Sequence, residues 1–227
     1  MFRRIAISAL FAGGAAGAIA GALQLVFVQP ILLHAELYES GQLVHFGGSA
    51  VSAAQDVLGM DIMRDGLSII FSMAIYIGYA FLLAAAIALA QEQGHSVSVR
   101  QGLLWGLSGF VATQLAPGFS LAPEVPGVAA AEIVDRQIWW FLTVATAAVA
   151  MWLIGLSKSW RMWSLAIFLL AAPHLIGAPQ PESFAGPVPP ELGSLFVVRA
   201  LGVGLVAWVL TGLFVSYFMK HEHAGAT

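Results

Sequence analysis

Long apolar runs separated by short polar stretches dominate this chain. They outlast the short-period alternation of apolar and polar positions that marks an amphipathic surface helix or a half-buried strand. A helix that crosses a membrane needs about 20 mostly apolar residues, at 1.5 Å each, to span about 30 Å of hydrocarbon. Six segments reach or approach that length: residues 5–28, 67–90, 103–119, 138–156, 162–176 and 195–219. The third and fifth are short, and each runs into a Pro- and Gly-rich stretch, LAPGFSLAPEVPG at 115–127 and APHLIGAPQPE at 172–182. The pattern predicts an all-α integral membrane protein with about six transmembrane helices, forming a single polytopic domain over residues 1–227. The opening Met-Phe-Arg-Arg and Ala18-Ile19-Ala20 have features of a secretory signal, yet the apolar run continues to Val28, longer than a signal's core. It is expected to be an uncleaved first span.

Composition strengthens this picture. Of 227 residues, 59% are hydrophobic and 9% charged, against about 25% charged in an ordinary soluble domain; the mean hydropathy is +0.87. The 24 Gly and 10 Pro suit membrane helices, which tolerate both. The absence of cysteine excludes a disulfide framework, a thiolate zinc site, an iron–sulfur cluster and a Cys nucleophile. A net charge of −3 argues against a nucleic-acid partner, which would call for a basic footprint. The lipid bilayer is the expected surrounding.

Charge placement orients the spans. With the N-terminus inside, Arg3, Arg4, Arg100, Lys158, Arg161 and Lys220 fall inside, and Arg64, Arg136 and Arg199 outside, as the positive-inside rule requires. Both termini are then cytoplasmic. Of the acids only Glu92 and Glu222 lie inside, so the inner side carries +4 and the outer side −7. Every proline sits at or beyond an outer end. The spans thus pair into three outward-facing helical hairpins, each with a proline-bearing acidic connection and an arginine near the start of its descending helix. Arg64, Arg136 and Arg199 are the equivalent residues of such a repeat, which would place like groups around one pathway; the alternative is that any helical hairpin needs loops with prolines and anchoring charges. Short spans interrupted by Gly and Pro in corresponding positions point to a transporter's binding site.

Several residues could carry that chemistry. His34, Glu36, Glu39 and then His45 follow the first span, with Glu36 and Glu39 on one helical face. This mixture of imidazole and carboxylate suits a divalent cation such as cobalt, nickel, manganese or zinc; a solvated juxtamembrane helix is the plainer reading. His174 lies near the outer end of an apolar span, where an ionisable group is functional by default; the alternative is an interfacial histidine hydrogen-bonded to a loop carbonyl. Glu182 and Glu191 follow it on the same side. The tail pair His221 and His223 is a weaker metal candidate. Gly13, Gly17 and Gly21 form overlapping GxxxG patterns that permit close helix packing, with another span or with a separate single-span protein. Trp105, Trp139, Trp140, Trp160 and Trp163 are expected at the interfaces as anchors.

Enzyme motifs are lacking. There is no H-E-x-x-H and no Gly-rich phosphate loop. Gly106-Leu107-Ser108-Gly109 is similar to the GxSG of rhomboid proteases, but Ser108 and His174 differ by roughly 10 Å in expected depth at 1.5 Å per residue. No dyad is expected between them, and this glycine segment is read as helix packing.

The chain resembles the CbtA family of predicted cobalt transporter subunits. The resemblance rests on Met-Phe-Arg-Arg leading through a Gly/Ala-rich span into LQLVFVQPILLHAELYE, on GLLWGLSGFVATQLAPGFSLAPEVPG at 102–127, and on RQIWW at 136–140. PHLIGAPQPE at 173–182 and PPELGSLF at 189–196 complete it, so nearly the whole chain is covered. It implies a multi-pass protein of the bacterial cytoplasmic (inner) membrane engaged in cobalt uptake, often supplying cobalamin synthesis. Co2+ is then the transported ion rather than a permanent cofactor. It also implies a small partner, CbtB, with one span and a His-rich end. Family members often carry a His-rich stretch between the first two spans; here that region offers His34 and His45, and Gln29 stands where an acid is expected. The alternative is an accessory or structural subunit of a larger membrane complex, without transport activity of its own.

Overall fold

The computed structural model describes residues 2–45, Gly59 and residues 61–224. Asp56, counted above among the outer acids, lies outside the described residues, and so do the side chains of Glu222 and His223. Among the described residues all regular secondary structure is helical. The elements are α1 (Phe2–Phe27), α2 (Gln29–Glu39), α3 (Ile62–Glu92), α4 (Val99–Phe110), a π-helical turn (Val111–Leu115), α5 (Ala116–Ser120), α6 (Ile133–Leu156), α7 (Trp160–Ile176) and α8 (Pro190–Ala224). Among the described residues four helices are long and apolar enough to cross a membrane: Ile5–Phe27, Ile62–Glu92, Ile133–Leu156 and Pro190–His221. Trp160–Ile176 is a shorter apolar helix.

Prolines set several boundaries. Pro30 has no N–H to offer the Val26 carbonyl, so α1 stops at Phe27 and the chain restarts as α2. Pro117 likewise cannot serve the Thr113 carbonyl. The helix widens into the π turn just before it and then continues to Ser120, so residues 99–120 run without a break. The apolar segments therefore understate the helices. The second extends to Ile62 and Glu92, and the stretch after the first span is itself helical. The polar ends hydrogen-bond along the same backbone whether or not hydrocarbon surrounds them.

The chain divides into two compact units. One comprises α1 up to Leu23, Ile62–Val111, and α8 from Val203. Its packing is built on small residues. Ala9, Ala12, Ala16 and Ala20 of α1 are almost completely buried. A Cβ on Gly17 would lie 2.5 Å from the Met73 Cα and 2.8 Å from the Ser72 carbonyl oxygen, and one on Gly21 2.9 Å from the Ile69 Cα. Gly13 meets the backbone of Tyr76 and Ile77. Ascending numbers on α1 meet descending numbers on α3, so the two run antiparallel with backbones nearly touching. The same device joins α4 to α8. Gly102 faces Gly212 and Ser216, while Gly106 and Gly109 receive Trp208, whose indole is also met by the Tyr79 ring at 4.7 Å. Gly106-Leu107-Ser108-Gly109 is thus a packing surface for α8. Ser98 begins α4 with a capping box closed by Gln101.

The second unit comprises Gln24–Asp61 and Ala112–Gly202. Here α6 and α7 form a hairpin joined by residues 157–159, and α5 packs on α6. Ala112, Ala116 and Ala147 form a small core with Leu170 against it. The two Pro-rich connections meet each other: the Ala129 N–H donates to the Ala185 carbonyl at 2.9 Å, and Gly186 lies against the Gly127 carbonyl. Gly127, at φ +81°, takes a left-handed turn that brings it against Glu39 of α2. Val125 and Val188, one from each connection, are buried. The two connections thus pack on each other rather than forming loose loops.

Candidate functional site

His174 sits in the last turn of α7, one residue after the buried Pro173. Pro173 withholds an N–H from the Leu169 carbonyl, and α7 ends two residues beyond His174. Gly177 closes it at φ +97°, donating its N–H to the Pro173 carbonyl at 3.1 Å. The indole N–H of Trp139 in α6 donates to that same carbonyl at 3.2 Å. The half-buried imidazole is held on three sides. Its Nδ1 is 2.8 Å from the hydroxyl of Ser120, the last residue of α5. Phe119 and Trp139 meet the ring edge-to-face at centroid distances of 5.3 and 5.8 Å. Two helices, α5 and α7, therefore end beside the imidazole. Helix C-termini carry roughly half a negative charge each from unpaired carbonyls, so this place favours a cation.

The other sequence candidates are more dispersed. His34 is half-buried and stacks on Tyr38 at 5.6 Å. Glu36 and Glu39 are exposed on α2, Glu39 with its Cβ face against Gly127. His45 is exposed just beyond α2, Glu182 is exposed in the connection after α7, and Glu191 in the first turn of α8. Among the described residues, no three of His, Asp and Glu converge as a metal cage. The three arginines do three different things. Arg64 pairs with its neighbour Asp65 at 2.9 Å, Arg136 with Glu124 at 2.7 Å across the loop before α6, and Arg199 donates to the Phe27 carbonyl at the end of α1 at 3.1 Å.

Comparison with known proteins places the molecule. The profile of the CbtA family, described as a probable cobalt transporter subunit, matches residues 2–220. The chain belongs to the CbtA family. No curated protein and no solved structure matches it. As a CbtA-family protein with several membrane-type helices it is a multi-pass membrane protein, and cobalt transport is the activity attached to its family.

Within this CbtA chain, sequence reasoning missed Ser120, Phe119 and the inward role of Trp139. The third apolar run ends at Phe119, which left Ser120 outside the span, and 54 residues separate it from His174. A signal was available: both short spans end in a Pro-bearing turn, at Pro117 and Pro173, so residues just after each proline share one end of their helices. Trp139, expected as an interface anchor, is 5% exposed and hydrogen-bonded inside the unit. Its neighbour Trp140 looks identical in sequence, and only the packing of α6 on α7 distinguishes them.

Proposed function

We propose that this CbtA chain is the membrane subunit that admits Co2+, or a closely similar divalent cation, across the bacterial cytoplasmic membrane. The observation that carries the reading is the placement of His174 where two helices end. Imidazole nitrogen is a good ligand for cobalt, and helix ends at broken helices serve transporters as cation sites. In this reading residues 99–120 and α7 cross the membrane with the four longer helices, giving six spans with both termini inside. The Pro-rich connections then face outward with His34, His45, Glu36, Glu39, Glu182 and Glu191. A net charge of −7 on that side concentrates cations near the site. An inside-negative potential favours inward movement of a doubly charged ion by about 4.6 kcal/mol per 100 mV, twice the single-charge value. A weak, dispersed set of ligands suits an ion that must be released. A small single-span, His-rich subunit of the CbtB type supplies the further ligands that the connections of this chain lack.

Radioactive cobalt uptake in cells lacking their own importers tests this, with the chain expressed alone and beside a CbtB-type subunit. Saturable uptake is expected, falling about tenfold or more in His174→Ala at matched membrane expression, the scale on which losing a ligand or its support weakens metal sites. Absence of uptake from well-inserted protein in both settings would transfer the chain to an accessory role in a larger complex.

A further inference from the structure

We propose that Ser120 is a positioning residue that makes His174 a cation ligand through Nε2. The inference rests on the reading of His174 as a cation contact and adds to it the choice of nitrogen and the residue that makes that choice.

A neutral imidazole has one N–H and one free lone pair, and only the nitrogen with the lone pair binds a metal. Ligating histidines donate the other ring N–H to an oxygen, which fixes both tautomer and ring orientation. At His174 the Ser120 hydroxyl lies 2.8 Å from Nδ1, and among the described residues no hydrogen bond reaches Nε2. With Nδ1 occupied, ligation must use Nε2, and that requires Nδ1–H donating to Ser120 Oγ. Left to itself in water the imidazole favours the opposite tautomer, with its proton on Nε2. Ligation through Nε2 therefore asks Ser120 to reverse an intrinsic preference.

The contact is unlike those of other helical hydroxyls. Elsewhere in the helices, hydroxyls turn back on their own backbone: Thr143 to the Trp139 carbonyl at 2.8 Å, Ser164 to the Trp160 carbonyl at 3.1 Å, Thr211 to the Ala207 carbonyl at 2.8 Å. Ser120 instead reaches across to another helix. Phe119 and Trp139 stand against the ring, and Trp139 is itself tied to the Pro173 carbonyl. The imidazole thus has little room to flip and exchange its nitrogens.

The test uses full-length protein in lipid nanodiscs, with two readouts. Ring 15N NMR on histidine-labelled, metal-free protein reports the tautomer, the His174 signal being assigned by its loss in His174→Gln. Titration with Co2+ alone reports binding. The unmodified protein is expected to show the Nδ1–H tautomer. Ser120→Ala should move the ring toward Nε2–H and weaken Co2+ binding about tenfold, the lower end of what loss of a ligand's supporting hydrogen bond costs. Ser120→Thr, which keeps the hydroxyl, should restore both. An Nε2–H signal in the unmodified protein overturns the proposal, and this holds even if Ser120→Ala fails to fold. So does Ser120→Ala binding Co2+ like the unmodified protein while His174→Gln does not, which leaves the cation reading of His174 standing. Undiminished binding in His174→Gln would remove the cation reading itself. A Ser120→Thr variant as weak as Ser120→Ala would mark the serine as a packing residue and overturn the positioning role.

Discussion

Trp139 shows what one polar atom does in an apolar setting. Its ring fills space between α6 and α7, and its N–H shares the Pro173 carbonyl with Gly177. That carbonyl closes α7, so the indole ties the end of one helix to the side of another and holds the wall beside His174. Trp139→Phe keeps most of the apolar area and removes the donor. The expected loss is about 1 kcal/mol for the hydrogen bond, plus a similar amount for the unfilled volume. Trp160→Phe, at a ring that is 71% exposed, should stay within about 0.5 kcal/mol. Thermal unfolding of the two variants in the same detergent measures the difference. Equal stability would mean that the indole N–H contributes nothing.

At the scale of elements, Gly17 and Gly14 separate close approach from mere helical space. A Cβ at Gly17 collides with backbone atoms of α3, which cannot move aside without parting the two helices. At Gly14 the nearest neighbour is the flexible tip of Met73 at 3.9 Å. Gly17→Leu should therefore cost about 3 kcal/mol or more, at the upper end of overpacking penalties. Gly14→Ala should be neutral or stabilising by up to about 1 kcal/mol, because alanine is the better helix former. Detergent unfolding of both variants decides it, and a Gly17→Leu protein as stable as Gly14→Ala would show the α1–α3 contact to be dispensable. These glycines were legible because the four-residue spacing of small residues is a strong signal. The inward face of α6 was not, although Trp139, Thr143, Ala147 and Ala150 mark it at helical spacing. In lipid both faces of a helix are apolar, so hydrophobicity does not separate inside from outside. The meeting of Ser120 with His174 was hidden for another reason: it depends on where two helices end, and the π turn ahead of Pro117 sets one of those ends.

For the whole molecule, the number of membrane crossings decides on which side the site opens. Four long apolar helices alone would give four crossings, leaving α7 and residues 99–120 on the surface. That arrangement puts Lys158 and Arg161 outside with Arg64 and Arg199, and brings Arg136 inside, so inner basic residues outnumber outer ones by only five to four. Six crossings give six to three and obey the positive-inside rule far better. They also let the 99–120 helix, at 1.5 Å per residue about 33 Å long, match the hydrocarbon thickness. The lack of native cysteine makes the choice measurable with single cysteines and a membrane-impermeant maleimide. Gln93→Cys should be protected and Ser183→Cys labelled from outside in either arrangement, which fixes the orientation. Ala122→Cys and Ser159→Cys discriminate. Six crossings place Ala122 outside, where it labels, and Ser159 inside, where it does not; four crossings reverse both. The reversed pattern would put Ser120 inside and His174 outside, against the 2.8 Å contact between them, and the outward-facing cation entrance would go with it.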